Sequence, residues 1–418
     1  MSKVNQIPES WSNTRIDKCC DILDSRRIPL SSEVRSTKKG NIPYYGANGL
    51  LDFINDYIFD EDLILVAEDG GNFWDYQKRP IAYKISGKSW VNNHAHILKP
   101  KTNFKFNYLF YQLEHKNIVP FINGSTREKL NQSDLRSILI PIPENPNEQI
   151  AIASILSKID EAIEATQNSI KTAEKLKKAL MQNLLTGKLK PDGTWRTDDE
   201  FYFDEKFGKV PVGWEVARVK DYGFVQTGKT PPTAEPNVFS EIENELRYPF
   251  ITPGDLGESK YVSTSERFVT EKGIRYSYKL PINSICVVCI GSTIGKIGIT
   301  KTEACTNQQI NALIANENNS GEFFFYMMEY RKPHFKEIAG INATPQINKS
   351  GFIKYKLLRP KEKSEQEEIV SQLNSFDEEN ITKQSKIRTL QRLKKSLMQN
   401  LLTGKVRLDV ERIMNCEL

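Results

Sequence analysis

One short segment matches a pattern that holds nucleotide phosphates. Residues 223–230, GFVQTGKT, fit the form GxxxxGK[ST], in which backbone amides and a lysine surround the phosphates. Such a loop must continue directly into a helix, because the helix N-terminus completes the phosphate site. Pro231 and Pro232 follow at once, and Pro232 bars the helical conformation at Pro231. We therefore expect a basic surface loop here rather than a nucleotide site.

Two further pairs of residues have the spacing of metal ligands. Cys286 and Cys289 form a CxxC, which occurs in zinc sites and redox pairs, but no second CxxC or CxxH lies nearby. The surrounding residues are apolar, which indicates a buried strand, where side chains three apart point to opposite faces. His94 and His96 would share one face of a strand, yet no third ligand is evident. We expect structural hydrogen-bonding roles for these histidines and predict no metal site.

The composition, and the absence of recognisable catalytic motifs in the sequence, favour a binding protein over an enzyme. The sequence has no Ser/His/Asp arrangement, no paired catalytic carboxylates, no metal-nuclease pattern and no methyltransferase motif. The 418 residues carry a net charge of +5, which is compatible with a polyanionic partner. No segment has the roughly 18 apolar residues that span a bilayer. The N-terminus has no apolar signal region and the six cysteines show no disulfide spacing, so we expect a cytoplasmic protein.

The elements that would position any site are themselves repeated. LKKALMQNLLTGK, residues 176–188, recurs as LKKSLMQNLLTGK, residues 393–405, at an offset of 217. Equivalent residues extend upstream as far as Asn131 and Asn348. Near the start of each half, Pro8, Trp11 and Arg15 match Pro211, Trp214 and Arg218 at an offset of 203. The centre of the second half is thus 14 residues longer (217 − 203), which indicates a duplicated domain-sized unit with a divergent centre.

Each half ends in a predicted long helix. From Ile152 to Ala173 a heptad seam recurs with spacings of 4 and 3, and the same phase starts again at Ile369. Each helix should end near a C-cap glycine, and its length is about 38 residues or roughly 57 Å. A long helix with one apolar seam needs a partner, so we expect the two helices to pair, antiparallel; the alternative is that each docks separately on its own domain. Asn380 and Lys383 are polar at seam positions, a device that fixes register.

These observations predict an α+β fold with pseudo-two-fold symmetry. Two globular α/β domains are separated by a pair of long antiparallel coiled-coil helices. The predicted boundaries are 1–146 and 210–363 for the domains, 147–187 and 364–404 for the helices, 188–209 for a connector and 405–418 for a C-terminal tail.

In combination, these segments resemble the specificity (S) subunit of a type I restriction-modification enzyme. The resemblance is carried by the PxxW starts of both halves, by residues 131–143 and 348–360 before the helices, and by the paired LMQNLLTGK helix ends. The centres also resemble two classes of target-recognition domain, through YYGANGLLDFINDYIFDEDLILVAEDGGNF with WVNNHAHIL and through PINSICVVCIGSTIGKIGITKTEACTNQQINAL. The resemblance covers nearly the whole chain.

The resemblance implies a division of labour. Each target-recognition domain would read one half of a bipartite site in double-stranded DNA, and the paired helices would set the unread gap. Two methyltransferase (M) subunits would dock on the helices, and restriction (R) subunits would join through them. The chain itself would be a non-catalytic subunit that binds no cofactor, since S-adenosylmethionine, ATP and Mg²⁺ chemistry for adenine methylation and restriction belongs to the partners. Two alternatives stay open: a coiled-coil adaptor that reads no DNA, and a stand-alone DNA-modifying enzyme.

Two sets of residues follow from these expectations. Basic and amide side chains in turns of the divergent centres suit guanine edges, phosphates and adenine. The predicted DNA contacts are Arg26, Arg27, Lys38, Lys39, Lys78, Arg79, Arg127, Lys129, Lys229, Thr230, Lys296, Asn307, Gln308 and Gln309. The predicted residues for helix packing and subunit docking are Leu176, Leu180, Leu184, Gly187, Leu393, Leu397, Leu401 and Gly404.

Overall fold

The computed structural model describes residues 7–124, 128–242, 247–340 and 344–411. The chain forms two compact units, one from residues 1–168 with 384–418 and the other from residues 169–383. Each unit therefore contains one globular domain, the first part of the helix that follows it and the last part of the other long helix. Within the described residues, no helix combines the length and the apolar character needed to cross a membrane.

The first half of the chain contains twelve strands and five α-helices among its described residues, the last helix being 40 residues long. In chain order they are β1 (Trp11–Arg15), α1 (Ile16–Cys19), β2 (Cys20–Ile22), α2 (Ser32–Thr37), β3 (Lys39–Gly46), β4 (Gly49–Ile54), β5 (Phe59–Asp60), β6 (Leu63–Ala67), β7 (Ala82–Ile85), β8 (Lys88–Val91), β9 (Ala95–Pro100), α3 (Phe106–Glu114), β10 (Ile122–Asn123), β11 (Lys129–Leu130), α4 (Gln132–Ser137), β12 (Leu139–Pro143) and α5 (Pro146–Leu185).

The second half repeats this plan after a short β-hairpin. Its elements are β13 (Phe201–Asp204), β14 (Gly208–Pro211), β15 (Trp214–Arg218), α6 (Val219–Tyr222), β16 (Gly223–Thr227), β17 (Phe239–Ser240), β18 (Arg247–Ile251), β19 (Tyr261–Val262), β20 (Phe268–Thr270), α7 (Glu271–Ile274), β21 (Ile285–Val288), β22 (Ile297–Thr300), β23 (Cys305–Thr306), β24 (Ile310–Ala315), α8 (Gly321–Ile338), α9 (Lys349–Lys354), β25 (Lys356–Pro360) and α10 (Lys363–Leu401). The hairpin β13–β14 lies between the first long helix and β15.

The two repeated stretches of each half pair with each other. In the first half β1 and β12 form an antiparallel ladder that places Trp11 opposite Pro143. In the second half β15 and β25 form the same ladder, with Trp214 opposite Pro360. The offsets of 203 and 217 therefore describe two strands of one ladder, and this ladder closes each domain directly before its long helix.

The divergent centres share a four-stranded core. The first domain has the strand order β2-β9-β6-β7, and the second has β16-β24-β21-β22 with β19 added. A largely buried helix packs on this core in each case, the nine-residue α3 in the first domain and the 18-residue α8 in the second. The domains differ in what is inserted around the core, which is the sheet β4-β3-β8-β5 in the first and β17-β20-β18-β23 in the second.

The long helices follow the predicted heptad phase to their ends. In α5 the seam from Ile152 to Leu184 contains no exposed residue, and in α10 the same is true from Ile369 to Leu401. Gly187 and Gly404 lie just beyond the helices with φ of 67° and 70°, as the predicted C-caps require. Within the second unit, the end of α5 packs on the start of α10, and within the first unit the end of α10 packs on the start of α5. The predicted α+β fold with paired antiparallel helices is confirmed, and equivalent contacts recur in both units.

The predicted packing role is wrong for one equivalent pair of leucines. Leu176 is 56% exposed and Leu393 is 46% exposed, whereas Leu184 and Leu401 are buried in the cores of their units. The seam runs through Ala173 and then through Lys177, four residues later. Leu176 lies one residue before Lys177, so its side chain is turned about 100° away from the seam.

Candidate nucleic-acid interface

In the second domain, all six predicted contact residues lie at one edge of the central sheet. The register places Thr227 opposite Asn311 and Val288 opposite Ile310, so three loops leave the sheet at the same side. We call this set of loops, residues 228–232, 289–296 and 307–309, the loop edge of the second domain. It carries Lys229, Thr230, Lys296, Asn307, Gln308 and Gln309.

Hydrogen bonds tie the loops of this edge together. The Thr230 hydroxyl lies 2.6 Å from Oε1 of Gln308, which joins the first loop to the third. Asn307 Nδ2 donates to Gln309 Oε1 at 2.9 Å, and Gln309 Nε2 donates to the Ile290 carbonyl at 3.4 Å. Lys229 is exposed, and within the described residues its ammonium group has no ion-pair partner. The edge therefore combines preorganised amides with a free positive charge.

The first domain has a loop edge at the equivalent side of its core. Ala67 lies opposite Ala95, and Val66 lies opposite Ala82, so residues 68–72, 78–81 and 92–94 leave the sheet together. We call these residues, with Lys129, the loop edge of the first domain. Lys78 and Arg79 are exposed there, immediately before β7.

Two of the predicted DNA contacts in the first domain, Arg27 and Lys129, form ion pairs with the buried carboxylate of Glu68. Arg27 is only 14% exposed and forms an ion pair with Glu68, while its guanidinium also donates to the Ala95 carbonyl at 2.9 Å. Lys129 lies 2.9 Å from the other oxygen of Glu68. Burial disfavours the charged form of Glu68, but Arg27 and Lys129 outweigh it and lower the pKa of that carboxyl. The Arg27 side chain is therefore committed to the framework beneath the loop edge.

A buried histidine completes this framework. His96 Nδ1 lies 2.6 Å from Asp24 Oδ2, and its Nε2 lies 2.8 Å from the Leu130 carbonyl. The imidazole is thus held from both sides, by a carboxylate and by a backbone carbonyl. Burial of Asp24 is outweighed by the hydrogen bond from His96, which lowers the pKa of the carboxyl.

Asp24, Glu68 and His96 also bring ligand atoms within 4.8 Å of one another, a spacing that could hold a metal ion. The carboxylates already accept from Arg27, Lys129 and Gln132, so hydrogen bonding accounts for their positions. His94, outside this cluster, lies 2.5 Å from Asp69.

The remaining predicted contacts of the first domain lie elsewhere or outside the described residues. Arg26 bonds Glu61 at 3.0 Å and the carbonyl of Ile58, near the start of β6. Lys38 and Lys39 precede and begin β3, at the end of that strand away from the β3–β4 turn, and each pairs with an aspartate. Arg127 lies outside the described residues. The structure thus gathers the second-domain candidates at one edge but divides those of the first domain.

The phosphate-loop match and the CxxC pair both lack the surroundings that their chemistry would require. No helix follows Thr230 before residue 239, so the phosphate-loop pattern has no helix N-terminus behind it. Cys286 and Cys289 are buried in two different core clusters, as expected for opposite faces of one strand. Burial raises the pKa of both thiols to about 12, which keeps them protonated and unreactive at neutral pH.

Sequence reasoning missed several residues at the first loop edge. Asn92, Asn93 and His94 precede β9 as Asn307, Gln308 and Gln309 precede β24. The backbone bond from Glu68 N to the His94 carbonyl is matched by the bond from Cys289 N to the Gln309 carbonyl. These residues correspond at a third offset, of 215 residues, at which only Asn92 and Asn307 of the three pairs are identical, a match too sparse to stand out in the sequence. Trp74, which is 66% exposed near this edge, was also missed, because a lone aromatic residue in a loop carries no pattern.

A second repeated surface lies at the helix ends. All thirteen residues from 176 to 188 have the same burial class as their counterparts from 393 to 405. Beside these ends, Trp214 Nε1 donates to Glu365 at 2.9 Å, and Arg196 pairs with the same carboxylate at 2.5 Å. The first unit repeats the arrangement with Trp11, Glu148 and Arg407. The start of each long helix is thus held by an arginine from the segment that follows the other long helix.

Comparison with known proteins matches this duplicated architecture. The family model described as type I restriction modification DNA specificity domain matches residues 8–175 and again residues 211–392. The chain is 27% identical to a provisionally named type I restriction enzyme specificity subunit of Haemophilus influenzae, over 87% of this chain and 86% of that protein. It is 25% identical to the MjaVIII type I restriction enzyme specificity subunit of Methanocaldococcus jannaschii, over 96% and 94% of the two chains.

Solved structures agree on the fold. The crystal structure of a type I restriction-modification system S subunit from M. genitalium superimposes with a TM-score of 0.61 at 17% identity, covering 96% of this chain and 98% of that one. With the family model matched in both halves, the chain belongs to the type I restriction-modification DNA specificity family.

Proposed function

We propose that this chain is the DNA-reading specificity subunit of a type I restriction-modification complex. Each domain reads one half of a bipartite site, and the paired helices set the unread gap between the halves. Two methyltransferase subunits dock on the helices, and restriction subunits join through them. The chain itself does not catalyse adenine methylation or cleavage; S-adenosylmethionine, ATP and Mg²⁺ act in the partner subunits.

The observation that carries the proposal is the contrast between what is repeated and what is not. The closing ladder, the Trp–Glu–Arg contacts and the helix ends recur with the same partners in both units. The loop edges stand on the same strands yet present different side chains, such as His94 in one domain and Gln309 in the other. A constant framework with a variable edge suits two readers of different sequences. An adaptor that reads no DNA has no need of such an edge.

The helix ends support docking of two identical partners. Leu176 and Leu393 are exposed, and so are the lysines at 178, 188, 395 and 405. Packing within the chain does not require these side chains, yet their identity is retained in both copies. Two like surfaces on one chain provide equivalent binding sites for two copies of one partner.

Co-expression with a type I methyltransferase (M) subunit from the same genome tests the proposal. We expect a complex of one chain with two methyltransferase subunits, measured by native mass spectrometry, and adenine methylation at a bipartite sequence, measured by mapping modified bases in host DNA. The methyltransferase without this chain is the control and should leave the same sites unmodified. A chain that forms no such complex, or that turns over DNA alone with Mg²⁺, ATP and S-adenosylmethionine, would contradict the proposal.

A further inference from the structure

Each domain builds the same tight turn at its loop edge. In the first domain Asn92 Oδ1 accepts from the backbone N–H of His94 at 2.9 Å. In the second, Asn307 Oδ1 accepts from the N–H of Gln309 at 3.1 Å. Such an Asx turn reverses the chain over two residues. The residue at its centre is Asn93 in one domain and Gln308 in the other, and both are exposed.

The two ends of each turn are anchored. The carbonyl of His94 accepts from Glu68 N at 2.9 Å, and that of Gln309 accepts from Cys289 N at 2.8 Å. Asn92 is 5% exposed, and its backbone N–H donates to the Tyr45 carbonyl at 3.0 Å. Anchors of this kind hold the central residue in one place, which recognition of a base edge requires.

The central amides are the groups that remain available. The side chain next to each one is committed, His94 to Asp69 at 2.5 Å and Gln309 to the Ile290 carbonyl. In contrast, the Asn93 side-chain amide has no hydrogen-bond partner among the described residues. Gln308 uses only Oε1, 2.6 Å from the Thr230 hydroxyl, which orients its amide and leaves Nε2 free to donate.

We propose that Asn93 and Gln308 are specificity-determining residues, one in each domain, that contact base edges from the centre of the same Asx turn. This inference rests on the proposed function, since it assumes that the loop edges face DNA. A carboxamide offers a donor and an acceptor side by side, which matches N7 and N6 of adenine in the major groove. Lys229 in the second domain and Lys78 with Arg79 in the first supply exposed cations at the same edges for phosphate contacts.

The test compares Asn93→Ala and Gln308→Ala, each in the full chain assembled with its methyltransferase subunits. The matched controls are Asn103→Ala and Asn318→Ala, since these exposed asparagines occupy equivalent turns at the opposite ends of β9 and β24. Methylation rates are measured on a library of sites in which each base pair of both half-sites is varied. The loss of one bidentate base contact corresponds to roughly a 5- to 150-fold loss of discrimination.

For Asn93→Ala we expect this loss at a single position of one half-site, with the other half-site read as before; Gln308→Ala should do the same in the other half-site. Asn93→Asp keeps the size but removes the donor, and should alter preference at the same position. Equal weakening across all sequences would indicate a phosphate contact and overturn the inference, as would a profile identical to wild type or to the controls.

The two proposals fail in distinguishable ways. Wild-type complex that methylates no bipartite site refutes the proposed function as a whole. Wild-type complex that reads such a site, combined with unchanged discrimination in both turn variants, refutes only the assignment of Asn93 and Gln308. Thermal unfolding of each variant shows whether it is folded. If an alanine variant is unfolded, Asn93→Gln and Gln308→Asn retain the amide and provide the second measurement, in which displacement of the amide should again change preference at that one position.

Discussion

Lys177 on α5 forms an ion pair with Asp377 on α10, and the same pair recurs with the helices exchanged, as Lys394 on α10 with Asp160 on α5. A tyrosine from the adjacent domain donates to each aspartate, Tyr326 at 2.6 Å and Tyr111 at 2.8 Å. Each pair thus links the two helices to one another and to the helix that covers the domain core.

Replacing Lys177 should destabilise the second unit. Lys177→Met leaves Asp377 without its cation in a partly buried setting, and we expect the free energy of unfolding to fall by about 1–3 kcal/mol. A double-mutant cycle with Asp377→Asn, followed by thermal or urea unfolding, isolates the pair because the two residues touch. Lys178→Met is the control, since Lys178 is exposed and should change stability by less than about 0.5 kcal/mol. Equal effects of the two lysine substitutions would contradict the structural role of the pair.

Asn380 should limit the stability of the helix pair. Its Oδ1 is buried and has no hydrogen-bond partner among the described residues. Asn380→Leu continues the apolar seam, and we expect it to raise the free energy of unfolding by about 1–2 kcal/mol. A polar seam residue fixes the register of two paired helices at a cost in stability. The variant should therefore also allow the two helices to pair in registers that the wild type excludes. Unfolding curves measure the gain; a lower melting temperature would mean that the carbonyl has a partner in solution.

The periodic parts of this fold could be predicted from the sequence, and the contacts between distant residues could not. Heptad spacing fixes the seam, and continuing the phase from Ala173 leads to Lys177 rather than to Leu176. Arg27 looked like a surface cation because its partner, Glu68, lies 41 positions away, just beyond the end of β6. Nothing local indicates that Glu148 meets Arg407, which is 259 residues away. The sequence repeat indicates such long-range contacts only where both copies keep the same residues.

The ionic framework of the first domain should make it sensitive to acid. Asp24 and Glu68 have pKa values lowered below their ordinary range by His96, Arg27 and Lys129. A lowered native pKa stabilises the fold above the unfolded pKa of about 4, and this stability is lost as the pH falls through the native values. We therefore expect the melting temperature to fall steeply below about pH 4.

Glu68→Gln tests this origin of the acid sensitivity. The variant leaves Arg27 buried beside a neutral amide, and we expect a loss of about 3 kcal/mol at pH 7. Because the titrating group is gone, its stability should depend less on pH between about 5 and 3 than that of wild type. Glu33→Gln, at an exposed position on α2, is the matched control. A pH profile parallel to wild type would show that Glu68 does not contribute to the acid transition.

The exposed leucines of the repeated helix ends should control partner stoichiometry. Leu176→Glu and Leu393→Glu each place a charge on one of the two proposed docking surfaces without disturbing the core. We expect each single variant to retain one methyltransferase subunit and the double variant to retain none, by native mass spectrometry. Ile381→Glu is the control, because Ile381 is 61% exposed on α10 but lies outside the repeated stretch. If the double variant still binds two methyltransferase subunits, the exposed leucines do not form the docking surfaces.

Matched shortening of the two helices should change the gap and nothing else. The positions of the Lys394–Asp160 pair add to 554, so within the first unit residues 162–168 face residues 386–392. Deleting both segments removes one heptad from each helix and restores the seam phase. Seven residues correspond to about 10.5 Å, or about three base pairs at 3.4 Å each. We expect methylation mapping to find both half-sites unchanged and the gap about three base pairs shorter. Deleting five residues instead shifts the seam phase and should abolish the complex, whereas a new half-site at an unchanged gap would contradict the role of the helices as a spacer.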